Sequence, residues 1–590
     1  MLRIRFAATA ACITLAAFLA ACGSDTTASP PPSNGGGNPP PPPVVAVSSI
    51  DLSPGAGEVM LGASAKFTAT PRDASGNVLT GRTITWTSSD ASIATVDESG
   101  MVVGKTPGAV TITAASEGKS AAAAITVKGN VIPVALVTVA AAPDTVEAWD
   151  PSPMQATLRD AAANVLVNRV IRWTVSNAAL ATIDSVTGVL TGVDRGTVTV
   201  TATSEGKVGS TTRVIVIKYH SVSAGSMHAC DIASGGIAWC WGLNGNEGRL
   251  GSDQLSSTSM STTPFRVPGN HKFTQLATYG RHTCGITTDG KAYCWGNNAW
   301  GALGAGTNVS QSATPVLVAS SAGFRSITAG SDHACAMTFD NIAYCWGNND
   351  WRQLGTTNST VSSVPVPVSG GVPFASIAAG SGFTCGIAAL GGAAYCWGAN
   401  SIGQTGDGKK INYGNVFVTG PQQIVGGLSF KGISLGSEYA CGVTQAGAGY
   451  CWGSNNSKFG SGSSTDSSLP IAVTGGLTFR SISAGFGHAC GVTTADAVYC
   501  WGGNGNGQLG STVQDGSNVP VRAGGSMTAS EVSASGIGTG SASFTCAVSV
   551  NRLTVYCFGR NDVGQLGNGA TSTSDASNTA PSIVVSQKPL

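Results

Sequence analysis

A short motif recurs seven times between residue 220 and the end of this 590-residue chain, and no other feature limits the fold so tightly. A Cys, an aromatic residue and a Gly stand together at Cys240-Trp241-Gly242, Cys294-Trp295-Gly296, Cys345-Trp346-Gly347, Cys396-Trp397-Gly398, Cys451-Trp452-Gly453, Cys500-Trp501-Gly502 and Cys557-Phe558-Gly559. The steps between the aromatic residues are 54, 51, 51, 55, 49 and 57. An Asn lies three residues after each aromatic, from Asn244 to Asn561, and Gly-Gln-Leu-Gly or a relative follows, best kept at Gly507–Gly510 and Gly564–Gly567. Upstream stands a second Cys (Cys230, Cys284, Cys335, Cys385, Cys441, Cys490 and Cys546). Two residues before that Cys comes His228, His282, His333, Phe383, Tyr439, His488 or Phe544. Each repeat also carries a short run read as a strand initiated by Pro, from Pro264 to Pro581. Such a period marks units that bury their apolar faces only against their neighbours.

This motif set resembles the regulator-of-chromosome-condensation repeat. The resemblance spans about 220–590 and implies a seven-bladed β-propeller of four-stranded blades, in which closing the ring removes exposed sheet edges. Local departures are Phe558 for Trp, Thr405 for Leu, and Ser457-Lys458-Phe459-Gly460 for Gly-Gln-Leu-Gly. The pattern leaves open how the terminal strands close the ring. Eukaryotic members include an exchange factor for a small nuclear GTPase. That activity is not carried over, because no partner-binding residues match. Secreted bacterial propellers of similar shape bind proteins, one of them a β-lactamase, but a shared fold does not by itself transfer a function.

The repeat cysteines pair within each unit. Five pairs are ten residues apart and two, Cys385/Cys396 and Cys546/Cys557, are eleven. A turn such as Thr288-Asp289-Gly290 sets the two members opposite each other on neighbouring strands, within disulfide reach. Seven intra-blade disulfides are expected. A metal reading of His-x-Cys fails on the three repeats that replace His with Phe or Tyr, since zinc wants four converging ligands. No metal or other cofactor is expected.

Residues 46–218 hold a duplication. Trp86 and Trp173 are 87 residues apart, as are Ala94-Thr95-Val96-Asp97 and Ala181-Thr182-Ile183-Asp184. Alternating Val/Thr/Ile runs between Gly, Asn, Asp and Ser read as strands and turns of two small sandwiches with a core Trp. The pattern Trp-x-Ser…Ala-Thr-Val-Asp-x-x-Gly resembles the group 2 bacterial Ig-like domain, a family of extracellular spacers. Asp97 and Asp184 read as turn residues rather than calcium ligands.

Residues 1–22 carry Arg3 and Arg5, an uncharged apolar run and Leu19-Ala20-Ala21-Cys22. The run has the shape of a secretory signal. Its end resembles the bacterial lipobox, which implies a lipid on Cys22 as the anchor. Residues 23–45, rich in Pro and Gly, read as a stalk. The expected organisation is signal 1–22, linker 23–45, Ig-like domains 46–129 and 130–218, and propeller 219–590, all-β throughout.

Charge and motifs exclude several functions. Lys+Arg is 31 and Asp+Glu 30, so no excess charge draws the chain to nucleic acid. No nucleophile elbow, phosphate loop or HExxH appears, and a binding protein rather than an enzyme is expected. Candidate contacts for an unknown protein or glycan are Trp300 and Trp351, at the same offset in consecutive repeats, and Tyr413 and Phe417 in a long loop. The reading is a lipid-anchored cell-envelope protein, periplasmic or surface-exposed and tethered to a membrane, of the outer membrane by preference, through its lipid only. The alternative is a structural envelope component without a ligand.

Overall fold

The computed structural model describes residues 44–140, 144–253, 259–306, 310–358, 361–409, 414, 416–535, 543–572 and 578–584. Cys22, Tyr413, the signal segment and nearly all of the linker lie outside these residues. Apart from one 3-10 turn, Ser234–Gly236, every regular element described is a strand. The chain divides into two compact units, Met1–Ile132 and Pro133–Leu590.

The first unit contains one sandwich. A four-stranded sheet runs Ala56–Met60, Lys119–Lys128, Gly108–Ser116, Thr85–Ser88, and a three-stranded sheet runs Ser64–Lys66, Met101–Gly104, Ala94–Val96. Val and Ile alternate inward along these strands, so Val102, Ile112 and Ile125 meet Phe67 in the core, with Trp86 half-buried beside them. The second unit opens with the same arrangement around a buried Trp173. Gly188 shows why a glycine recurs beside the Trp. Its φ is +72°, and a Cβ there would stand 2.7 Å from the Trp173 ring. Asp97 and Asp184 accept backbone N–H groups two to four residues on, closing turns as read from the sequence.

Seven four-stranded sheets follow, each from one contiguous stretch and each with its strands in chain order. The third is typical: Phe324–Ala329, His333–Thr338, Ala343–Gly347, Ser362–Pro367. First strands from all seven sheets line one axial cavity of about 240 Å³, so the sheets are blades of a closed ring. Hydroxyls on these inner strands join consecutive blades. Ser223, Thr328, Ser434 and Ser483 accept the backbone N–H of Thr278, Ala379, Ala484 and Ala534 at 2.9–3.1 Å. Ser533 accepts the N–H of Ala224 at 2.9 Å, so blade 7 meets blade 1 by the same device and no strand is shared. Where Ala277 lacks a hydroxyl, the Gln275 side chain accepts from Ile327 instead.

The repeated motif is a second set of joints. Each Asn side chain accepts the backbone N–H of the residue in the Leu position of Gly-Gln-Leu-Gly, from Asn244/Leu250 to Asn561/Leu566. That holds the loop so that the carbonyl just before the Leu position accepts the indole N–H of the next blade's Trp, at 2.8–3.1 Å. The ring-closing case is Trp241 to Gln565. Phe558 cannot donate, which leaves the Gln508 carbonyl with the Thr545 hydroxyl alone, where the Gln353 carbonyl takes both the Thr384 hydroxyl and the Trp397 indole. The Gly after Leu lies flat on the same Trp. Gly304 has φ +65°, and a Cβ on it would be 2.7 Å from the Trp346 indole nitrogen. We expect Trp346→Phe to leave the Ala302 carbonyl buried without its partner. The cost is about 1–3 kcal/mol, visible as a lower denaturant midpoint at unchanged slope.

Each blade's second and third strands set its two half-cystines directly opposite, and all seven pairs are bonded, with Cα atoms 4.0–4.1 Å apart. The sequence reading misplaced the prolines. The fourth strands begin three or four residues earlier, so Pro264, Pro365 and their equivalents lie inside Met260–Arg266, Ser362–Pro367 and so on. These are the outermost strands, where a missing N–H leaves no ladder bond unmade.

The second Ig-like module is packed against the propeller rather than strung before it. Trp149 lies 6.2 Å from Trp239, Glu147 pairs with Lys218 at 2.6 Å, and Arg195 donates to the Tyr219 hydroxyl at 3.1 Å. One buried cluster runs through both, from Trp173 and Ile215 to Val222 and Trp239.

Candidate binding face

The His or aromatic residue two positions before each first Cys is buried between blades, and its chemistry follows its neighbour. His228, His333 and His488 meet the hydroxyls of Thr283, Thr384 and Thr545 in the next blade at 2.8–2.9 Å. Phe383, Tyr439 and Phe544 instead share apolar clusters with Ala440, Ala489 and Ala229. His282 faces a blade with Ala334 at this position, and its Nε2 finds no partner among the described residues. Burial pulls His228, His333 and His488 down to about 3 and His282 to about 4, so these rings are neutral joints. Among the described residues no three His, Cys, Asp or Glu side chains gather as a metal site.

Loops joining first to second and third to fourth strands emerge on one face of the ring. Trp300 and Trp351 stand there on blades 2 and 3, 42% and 36% exposed. Trp351 rests on the blade 4 loop, 3.2 Å from where a Cβ on Gly382 would sit. Ala399, also beside Gly382, pairs across the sheet with Phe417, which is 41% exposed. The Arg352 guanidinium lies over the Phe417 ring at 5.4 Å. The structure therefore brings Trp351 and Phe417 into one patch and adds Arg352. Trp300 stands at the same point one blade away, and Tyr413 lies outside the described residues.

On the same face, blades 4 to 7 line a polar pocket of about 560 Å³ that contains Lys458 and Glu438. The sequence reading noted Lys458 only as a departure from the repeat. It passed over Arg352 and Trp239, although Trp239 stands where the other six repeats have Tyr, which is where the Ig-like module docks.

Comparison with known proteins agrees with this geometry. The model for the bacterial Ig-like domain (group 2) matches residues 46–127 and 135–216. The model for the RCC1-like domain matches residues 188–542, more than half of the chain. The E3 ubiquitin-protein ligase HERC2 of Homo sapiens is 26% identical over 266 residues, 44% of this chain and 5% of that protein. The ultraviolet-B receptor UVR8 of Arabidopsis thaliana is 28% identical over 260 residues, 43% of this chain and 57% of that protein. The chain thus spans little more than half of one relative and a small part of the other. Among solved structures, Prp20p of Saccharomyces cerevisiae aligns at 21% identity with a TM-score of 0.47, over 57% of this chain and 84% of that one. Human WBSCR16 aligns at 18% with a TM-score of 0.49, over 54% and 85%. With its seven blades, its motif joints and the extent of the match, this chain belongs to the RCC1-like domain family and carries two group 2 bacterial Ig-like domains ahead of the propeller.

Proposed function

We propose that the chain is a lipid-anchored envelope protein whose propeller face captures a protein partner, with Cys22 as the tether. The observation that carries this reading is the aromatic patch. Trp351 and Phe417 leave large apolar rings in water beside the Arg352 guanidinium, and Trp300 does the same one blade away, on loops held by a rigid ring. Trp and Arg are the residues that most often dominate binding energy at protein interfaces. The buried neutral histidines and bonded cysteines are already used as joints, which favours a binding protein over an enzyme.

The test uses the full chain immobilised as bait against an envelope fraction, beside a Trp300→Ala/Trp351→Ala variant of equal thermal stability. Loss of two anchor rings should weaken a captured partner by about 2 kcal/mol or more, roughly thirtyfold in Kd. Equal capture by both baits would overturn the proposed face. Protease shaving of intact cells then separates outward display from a periplasmic address.

A further inference from the structure

The loop after the third strand of blade 5 differs from its six counterparts. The capping Asn and the N–H it accepts are five residues apart in five blades and six in blade 1, but four in blade 5, from Asn455 to Phe459. Asn456 takes up the shortening at φ +34°, in the left-handed region that non-glycine residues avoid, whereas Ser457 at +68° keeps the positive φ that Gly301, Arg352 and Gly403 have at the same place in other blades. Strain of this kind persists where the surroundings over-determine it, and it gathers at functional sites.

The backbone of Lys458 still serves the ring, since its carbonyl accepts the Trp501 indole N–H at 2.8 Å. Its side chain does something new. Gln353, Gln404, Gln508 and Gln565 occupy this position in other blades, and each folds back to accept a backbone N–H two residues earlier. A lysine has no acceptor and cannot do so. The Lys458 ammonium instead lines the pocket, 5.1 Å over the Tyr439 ring and 3.4 Å from the Ser454 hydroxyl, with the residue only 7% exposed. Three donors with one long hydrogen bond leave bonding capacity unused.

Around it the pocket offers Ser381, Ser437, Asn456, Asn506 and Glu438, with half-buried Phe486 as its apolar side chain. Its volume of about 560 Å³ lies within the range of small-molecule sites, but its lining is far more polar than theirs usually is. The charge balance decides the ligand class. Glu438 and Asp466 both act on the ammonium, so the pocket holds no surplus positive charge for an anion. Hydroxyls and amides that both donate and accept match a ligand that does the same.

We propose that this pocket on blades 4 to 7 is a site for one neutral saccharide unit, with Lys458 donating to its hydroxyls, Glu438 accepting from them and Phe486 covering a ring face. It is a second site on the face and does not rest on the aromatic patch.

Saturation-transfer NMR on the full chain tests it, with methyl glycosides of glucose, galactose, mannose and N-acetylglucosamine as probes and sodium glutamate as the anion. At least one neutral glycoside should bind. Lys458→Gln, which installs the residue four other blades carry, should weaken it at least tenfold, as should Glu438→Gln. Trp300→Ala/Trp351→Ala should leave glycoside binding unchanged, so the two sites fail separately. Binding by glutamate alone, by no probe, or by Lys458→Gln as well as by the parent would overturn the assignment.

Discussion

Refolded in the presence of a strong reductant, the propeller should lose its cooperative unfolding transition. Seven disulfides each close a loop of ten or eleven residues. By chain entropy each contributes about 2.7 kcal/mol, and together roughly 19 kcal/mol, against the 5–15 kcal/mol by which domains are usually stable. All fourteen half-cystines are buried, so the reductant must be present during refolding rather than added to folded protein. The measurement is a guanidinium titration of oxidised and reduced chains, followed by tryptophan fluorescence. A single-blade variant, Cys335→Ala/Cys345→Ala, should retain the transition and shift it by about 2–3 kcal/mol. A reduced chain that keeps a cooperative transition at nearly the guanidinium midpoint of the oxidised one would show that ring packing alone suffices.

Moderate acid should be the second severe stress. Burial holds His228, His333 and His488 near 3 and His282 near 4, against an ordinary value of 6.5. Between those values the unfolded chain takes up protons that the folded ring refuses. The contribution of each neutral histidine is therefore complete above pH 6.5 and shrinks as pH falls toward the folded value. At pH 5 the loss is roughly 2 kcal/mol per histidine, about 8 kcal/mol for four. Half-buried Glu531 acts in the opposite sense: burial raises it to about 7, so its protonation between pH 7.5 and pH 5 returns about 2.5 kcal/mol. The net loss is about 5–6 kcal/mol against an unfolding entropy of about 0.8 kcal/mol/K for a propeller of this length, so Tm should fall by about 7 °C between pH 7.5 and pH 5. His333→Phe with Thr384→Ala copies the Phe383/Ala440 joint and should remove about a quarter of the histidine effect. A Tm that stays level across this range, or a variant with the parent's slope, would contradict the account.

The blades were legible because a ring of like units forces like residues into like positions. Trp397, Asn349 and Gly355 make one joint of indole, amide and glycine across two blades, and the recurrence of all three at regular spacing along the chain is enough to expose the set. The His-or-aromatic position was legible as packing, since Phe383 stands where His333 does. Its partner was not, because the Thr or Ala that decides between them lies some fifty residues on, in the next blade. Pro365 was misjudged for a local reason: proline commonly opens a strand, and only sheet order shows that this strand is an edge. The docking of Trp149 on Trp239 depends on the mutual fit of two modules, which neither module's own pattern contains. Lys458 was visible as an exception, but its meaning needed the pocket around it.

The seam between blade 7 and blade 1 bears on how such a chain can change over generations. Each blade is one unbroken stretch, and Ser533–Ala224 and Trp241–Gln565 repeat the joints found elsewhere in the ring. The boundary of the copied genetic segment then coincides with the boundary of the cooperative unit. Unequal crossing-over in phase would insert or delete a whole blade without severing a sheet. Its product would fail only where the circumference no longer closes, so selection acts on blade number as a whole and on the face loops one at a time. A rearranged gene that begins at Phe324 and runs through the old seam should, by the same logic, encode the same ring.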